Sequence, residues 1–263
     1  MQPMRFHSHH GQNIHISDDG NTATRTCSYA HGLCFGDRPL NQREIFLVEI
    51  LSNQKGWSGH LRIGLTQHNP NTRFKLPQYA LPDFITSLGK SWIMAITKTH
   101  KYIFRDDDLP DMDQEPGNPP RQSILGDGEL IRTSCGTLKR SLLTLSKQSA
   151  TATNQDSQLL PTDLGSRIGM MFTKNGKKGD LYIIVNGEEY GPVAKNIPLH
   201  DGPLWPVLDV YGTTKQIQIV QLTTSETLQT LCRDVITQQL STQVFIEELP
   251  LPTRMKNFLK FDS

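Results

Sequence analysis

The sequence predicts a mainly β protein: an antiparallel β-sandwich followed by a small helical appendage. Three observations carry this reading. Short runs of alternating apolar and polar residues recur along most of the chain, punctuated by Gly, Asn, Asp and Pro, with no βαβ rhythm and no internal repeat. One of these interruptions is Asn186-Gly187, the pair best suited to a two-residue hairpin, because both of its positions need positive φ. Beyond Leu222 the period changes, and apolar residues recur at spacings of three and four, the mark of an amphipathic helix.

The elements follow in order. Asn13–Ile16 and Thr22–Arg25 flank the turn signal Asp18-Asp19-Gly20-Asn21. Ile45–Ile50, Leu61–Leu65 and Trp92–Ile96 are apolar runs of strand length. Residues 105–164 change character: RDDDLPDMDQEPGNPPRQ is acidic and rich in Pro and Gly, and SKQSATATNQDSQ has almost nothing to bury. Such composition does not offset the entropy of ordering the chain, so this tract reads as a polar insertion, much of it loop or disorder. Within it, LKRSLLTLSK fits either a helix or a strand. Strands resume at Arg167–Phe172, Leu181–Val185, Glu188–Tyr190, Trp205–Tyr211 and Gln216–Leu222. The tryptophans Trp57, Trp92 and Trp205 are most simply core aromatics, although one near a loop can line a binding surface.

Composition limits the function classes. The 263 residues carry a net charge of +1, which offers nothing to attract nucleic acid or an anionic membrane. No apolar run approaches a membrane span, and the first residues lack the apolar stretch of a secretory signal. Four cysteines (Cys27, Cys34, Cys135, Cys232) without a C-x-x-C pair point to a reducing, cytoplasmic setting and exclude a zinc ribbon or RING. The histidines His7, His9, His10 and His15 read as surface and strand residues, and no metal or cofactor is expected. No nucleophile elbow or phosphate loop is present, so no catalytic residue is assigned.

The C-terminal region carries the sharpest signal. Thr223 and Glu226 fit a capping box. Leu228, Leu231, Cys232, Val235, Ile236 and Leu240 then form one stripe of a helix over 224–240, suited to docking in a groove. Each leucine so buried contributes about 1.5–3 kcal/mol. The step Leu249-Pro250-Leu251-Pro252 is held extended by its prolines, and a second helix is expected to start near Pro252, with Met255, Phe258 and Leu259 on its buried face.

These residues resemble a known module. Thr227, Leu228, Leu231, Cys232, Val235 and Ile236 look like the elongin-binding half of a SOCS box. Leu249, Pro250, Leu251, Pro252, Met255, Phe258 and Leu259 look like the cullin 5 box that follows it, over 246–260. Upstream, RFHSHHGQNIHISDDGNTATR, LCFGDRPL, LRIGLTQHNP, LPDF, LYIIVNGEEYGPVA and WPVLDVYGTTKQIQIVQL resemble a Neuralized homology repeat, an SPRY-like sandwich, over 5–222. The resemblance implies a SOCS box over 223–263 and a non-catalytic adaptor. The sandwich would hold a protein substrate, while the SOCS box would hold elongin C, elongin B and cullin 5 with its RING subunit, so that the substrate is ubiquitinated and degraded. The residues that would bind the substrate stay unassigned; Ser17–Asn21, the Trp57 region and the Lys174–Gly179 turn are candidates by location. The competing reading is a stand-alone protein- or carbohydrate-binding sandwich whose terminal helices complete its own core.

Overall fold

The structure is a computed structural model describing residues 2–98, 123–126, 128–134, 136–144, 159–222, 236, 246 and 249–260. Its centre is a sandwich of two antiparallel sheets. The larger contains β1 (Ile14–Ile16), β2 (Thr22–Arg25), β4 (Phe46–Asn53), β9 (Arg167–Asn175), β10 (Lys178–Val185), β11 (Glu188–Pro198) and β13 (Thr214–Ile219), in the spatial order β1-β2-β13-β4-β9-β10-β11. The smaller has β3 (Leu33–Phe35), β5 (Arg62–Thr66), β6 (Ser91–Ala95) and β12 (Trp205–Asp209), ordered β3-β12-β5-β6. A separate hairpin is formed by β7 (Leu130–Thr133) and β8 (Gly136–Lys139).

The period-2 alternation sorts side chains between layers. Phe46, Val48 and Ile50 of β4, Ile168 and Met170 of β9, and Leu181 and Ile183 of β10 meet Cys34, Ile63, Leu65 and Leu208 of the smaller sheet in the main core. Their neighbours point outward and are also covered. Leu47, Met171 and Ile184 on the outside of the larger sheet pack with Leu125, Ile131, Leu138 and Leu143 from 123–144. Leu33, Phe35, Ile93 and Val207 on the outside of the smaller sheet pack under Ala80 and Phe84 of a π-helical segment, Ala80–Leu88. The described residues are therefore stacked in four layers, and this explains why β3 is buried on both faces and shows no alternation. His9 joins that outer layer, its ring 6.2 Å from Phe35 and 5.4 Å from Phe74, so it packs more than a surface histidine does.

The hairpin at Asn186-Gly187 forms as expected. Val185 pairs with Glu188, and the two turn residues take φ of 49° and 86°. The polar tract departs from its composition. Its 123–144 part builds β7, β8 and a 3-10 turn, Arg140–Leu143, answering the helix-or-strand ambiguity of LKRSLLTLSK with a strand that runs into a tight helical turn. Glu189 secures it to the sandwich by accepting from Ser123 Oγ and from the Ile124 and Leu125 N–H groups. The few apolar residues of this tract suffice because they cover a sheet face that is already apolar.

Candidate protein-interaction surfaces

Four loops meet at one end of the sandwich: 26–32 before β3, 54–61 before β5, 73–79 before the π-helical segment, and 210–213 between β12 and β13. Each contributes one ring to a common aromatic cluster. Tyr29 lies 5.0 Å from Trp57, 6.0 Å from Tyr79 and 5.9 Å from Tyr211, and Tyr79 lies 6.4 Å from Tyr211. Tyr29 and Trp57 are each 37% exposed. The hydroxyl of Tyr79 accepts from Gln78 Nε2, and its phenol is pushed up chiefly by hydrogen bonding with Tyr29. The surface thus presents aromatic faces with polar tips.

A buried charge group supports the rings. Arg62 stacks on Tyr211, its Cζ 3.7 Å from the ring centroid, and its Nη1 donates to Asp209 Oδ2 at 3.2 Å. The same oxygen accepts the Ala80 N–H at 3.1 Å, linking β12 to the start of the π-helical segment. Asp209 is 1% exposed. Burial pushes its carboxyl up to about 6, against the opposing pull of the Ala80 N–H and of Arg62 and Arg25. Arg25, also buried, donates through Nη2 to the carbonyls of Gly212 and Thr214 and so fixes the 210–213 loop from below.

The loops are stitched to one another. The Thr213 N–H donates to Gly59 O and Thr213 Oγ1 to Trp57 O, each at 2.9 Å, while the His31 N–H donates to Gln78 O. Gly212 has φ of 58°, and a Cβ there would stand 2.3 Å from Ser58 O and 2.4 Å from Gly59 O, so only glycine allows this approach.

At the other extreme of the sequence, helix α1 (Thr253–Lys260) follows the Leu-Pro-Leu-Pro step. Pro252 O accepts from the Met255 and Lys256 N–H groups and so opens the helix where the sequence places its start. Leu249 and Leu251 are half-buried, Pro250 and Pro252 exposed, and Leu259 buried. Met255, expected on the buried face, is instead 54% exposed.

Two sequence-family models match the chain: the Neuralized model over residues 6–221 and the SOCS box model over residues 226–260. The chain belongs to the Neuralized family. It is 36% identical over 278 residues to Neuralized-like protein 2 of Mus musculus, a match covering 99% of this chain and 92% of that one. It is 25% identical over 228 residues to the mouse E3 ubiquitin-protein ligase NEURL1B, covering 85% of this chain and 30% of that protein. In fold it resembles the crystal structure of the Drosophila melanogaster neuralized-nhr1 domain, with a TM-score of 0.54 and 24% identity over 84% of this chain and 99% of that one. A Neuralized domain followed by a SOCS box is the make-up of a SOCS-box adaptor, and a SOCS box implies binding to elongin B/C and a cullin in general.

Thr227, Leu228, Leu231, Cys232 and Val235 lie outside the described residues, and Ile236 sits in helical backbone, half-buried. The backbone of Phe258 belongs to α1, and its side chain also lies outside what is described. Among the three loop candidates, Ser17–Asn21 closes a polar turn and Lys174–Gly179 a tight β9–β10 connection. The Trp57 region reaches the aromatic surface. Trp57 is therefore not a core residue, whereas Trp205 is buried and Trp92 packs against the main core. Sequence reading missed Tyr29, Tyr79 and Tyr211; the available signal was an aromatic residue in each of several short loops, three of the four containing glycine. Among the described residues no helix is long and apolar enough to cross a membrane.

Proposed function

We propose that this protein is the substrate-recognition adaptor of an elongin B/C–cullin 5–RING ubiquitin ligase, non-catalytic itself and acting in the cytoplasm. The observation that carries the reading is the union in one chain of a Neuralized domain, 6–221, and a SOCS box, 226–260. In this reading residues 5–222 hold a protein substrate and 223–263 hold the ligase scaffold. Thr227, Leu228, Leu231, Cys232, Val235 and Ile236 dock in a groove of elongin C. Leu249, Pro250, Leu251, Pro252, Met255, Phe258 and Leu259 meet cullin 5, which supplies the RING subunit that ubiquitinates the substrate for degradation. Two features support the second half. The prolines leave the 249–252 step little entropy to lose on binding. Met255 stands exposed on a helix whose Leu259 is buried, as expected of a side chain awaiting a partner.

The test is affinity purification of the tagged full-length chain from cells, with mass spectrometry of what accompanies it. Elongin B, elongin C and cullin 5 are expected with the wild type and absent from the double variant Leu228→Ala, Cys232→Ala, since truncating a buried leucine costs about 2–5 kcal/mol. A wild-type chain that brings none of the three, yet is folded, contradicts the assignment.

A further inference from the structure

The aromatic surface at the loop end of the sandwich lies within the Neuralized match, 6–221, outside the SOCS box match, 226–260. It gathers four rings from four loops, and both aromatic side chains that are exposed among the described residues, Tyr29 and Trp57, sit in it side by side. Tyrosine and tryptophan are the side chains that give protein-binding surfaces the most contact area for the least entropy. The loops are already fixed to one another by backbone hydrogen bonds and by the close approach of Gly212 to Ser58 and Gly59, so little order remains to be created on binding. Charge then selects the partner. The four loops carry Lys55, Arg73 and Lys75 and no aspartate or glutamate, and all three cations are exposed. The acidic residue acting on the Tyr79 phenol is Asp83, on the adjoining π-helical segment. The charges that the four loops themselves carry are therefore all positive.

We infer that Tyr29, Trp57, Tyr79 and Tyr211 form the docking platform for the ubiquitination substrate, and that its occupant is an acidic protein segment presenting an aromatic or aliphatic anchor between carboxylates. This rests on the adaptor reading for the word substrate, but not for the binding itself. The anchor packs against Trp57 and Tyr29, the phenol hydroxyls bond the segment's backbone, and the cationic loops draw its carboxylates.

The experiment is selection of a random 12-residue peptide display library on the full-length chain, followed by titration of the enriched peptides, with elongin B/C capture measured separately. Trp57→Ala and the double variant Lys55→Glu, Lys75→Glu are titrated in parallel; all three positions are exposed, and circular dichroism checks that both variants fold. The enriched peptides should be rich in Asp and Glu around an apolar residue. They should bind Trp57→Ala at least about tenfold more weakly, and bind the lysine variant more weakly and with less sensitivity to salt. The inference is overturned by enrichment no greater than on an unrelated protein, by basic or neutral consensus peptides, or by peptides that bind Trp57→Ala as well as wild type. A glycan array that Trp57-dependently binds sugars, with no peptide enriched, overturns it in favour of carbohydrate. Elongin capture separates the two readings: Trp57→Ala must lose peptide yet keep elongin B/C, whereas a wild type that binds peptide but no elongin defeats only the adaptor assignment.

Discussion

The aromatic platform and the C-terminal strap both expose apolar side chains, and they hold them by opposite means. Platform residues come from four loops spread between Tyr29 and Tyr211, and their positions depend on Asp209, Arg62, Arg25 and backbone bonds between loops. The 249–252 step and the start of α1 depend on neighbours in sequence: two prolines and the Pro252 carbonyl. The platform should therefore fail as a unit when one support is altered. The strap should tolerate substitution and lose only the contact touched.

Four outcomes would break or sharpen that contrast, the largest first. Gly212→Ala places a Cβ against the Ser58 and Gly59 carbonyls at positive φ, and backbone cannot yield as a side chain can. Left-handed strain and overpacking together cost about 2–5 kcal/mol, visible in the midpoint of urea unfolding. A variant as stable as wild type would show that the loops are not locked.

The second outcome concerns pH. Asp209 titrates at about 6 in the fold against 3.8 as the ordinary value. The native state therefore holds this proton more tightly than the unfolded chain. Its contribution favours the fold most below about pH 4, declines as pH rises to about 6, and is level above. A carboxyl raised that far changes stability by about 3 kcal/mol across this window. Asp209→Asn keeps an acceptor for the Ala80 N–H and removes the titration. The stability of wild type relative to this variant should fall by that amount between about pH 4 and 7, and parallel profiles would rule out the buried carboxyl as the cause.

The third is Leu138→Ala in the hairpin over the larger sheet. It should cost about 2–4 kcal/mol without weakening binding at either surface, because Leu138 serves only the outer layer. The smallest is Met255→Ala, which should change stability by less than about 0.5 kcal/mol while reducing cullin 5 recovered with the chain.

What was readable in the sequence divides along the same line. Features set by neighbours were legible: the alternation of β13, the Asn186-Gly187 turn, the start of α1 at Pro252. Those set by distant contacts were not. β3 lacks alternation because the π-helical segment buries its outer face. The 123–144 hairpin was hidden in polar composition because its apolar residues borrow a sheet face made elsewhere. Trp57 looked like a core residue because nothing in its own loop tells that Tyr29, Tyr79 and Tyr211 stand beside it on the surface.

The most direct test of an adaptor with two separable surfaces is a double dissociation on the purified full-length chain. Binding of an enriched acidic peptide and of elongin B/C would be titrated for wild type, for Trp57→Ala and for Leu228→Ala, Cys232→Ala. The first variant should lose the peptide and keep elongin, and the second should keep the peptide and lose elongin. If either folded variant loses both ligands, or neither loses its own, the division of labour between sandwich and SOCS box is wrong.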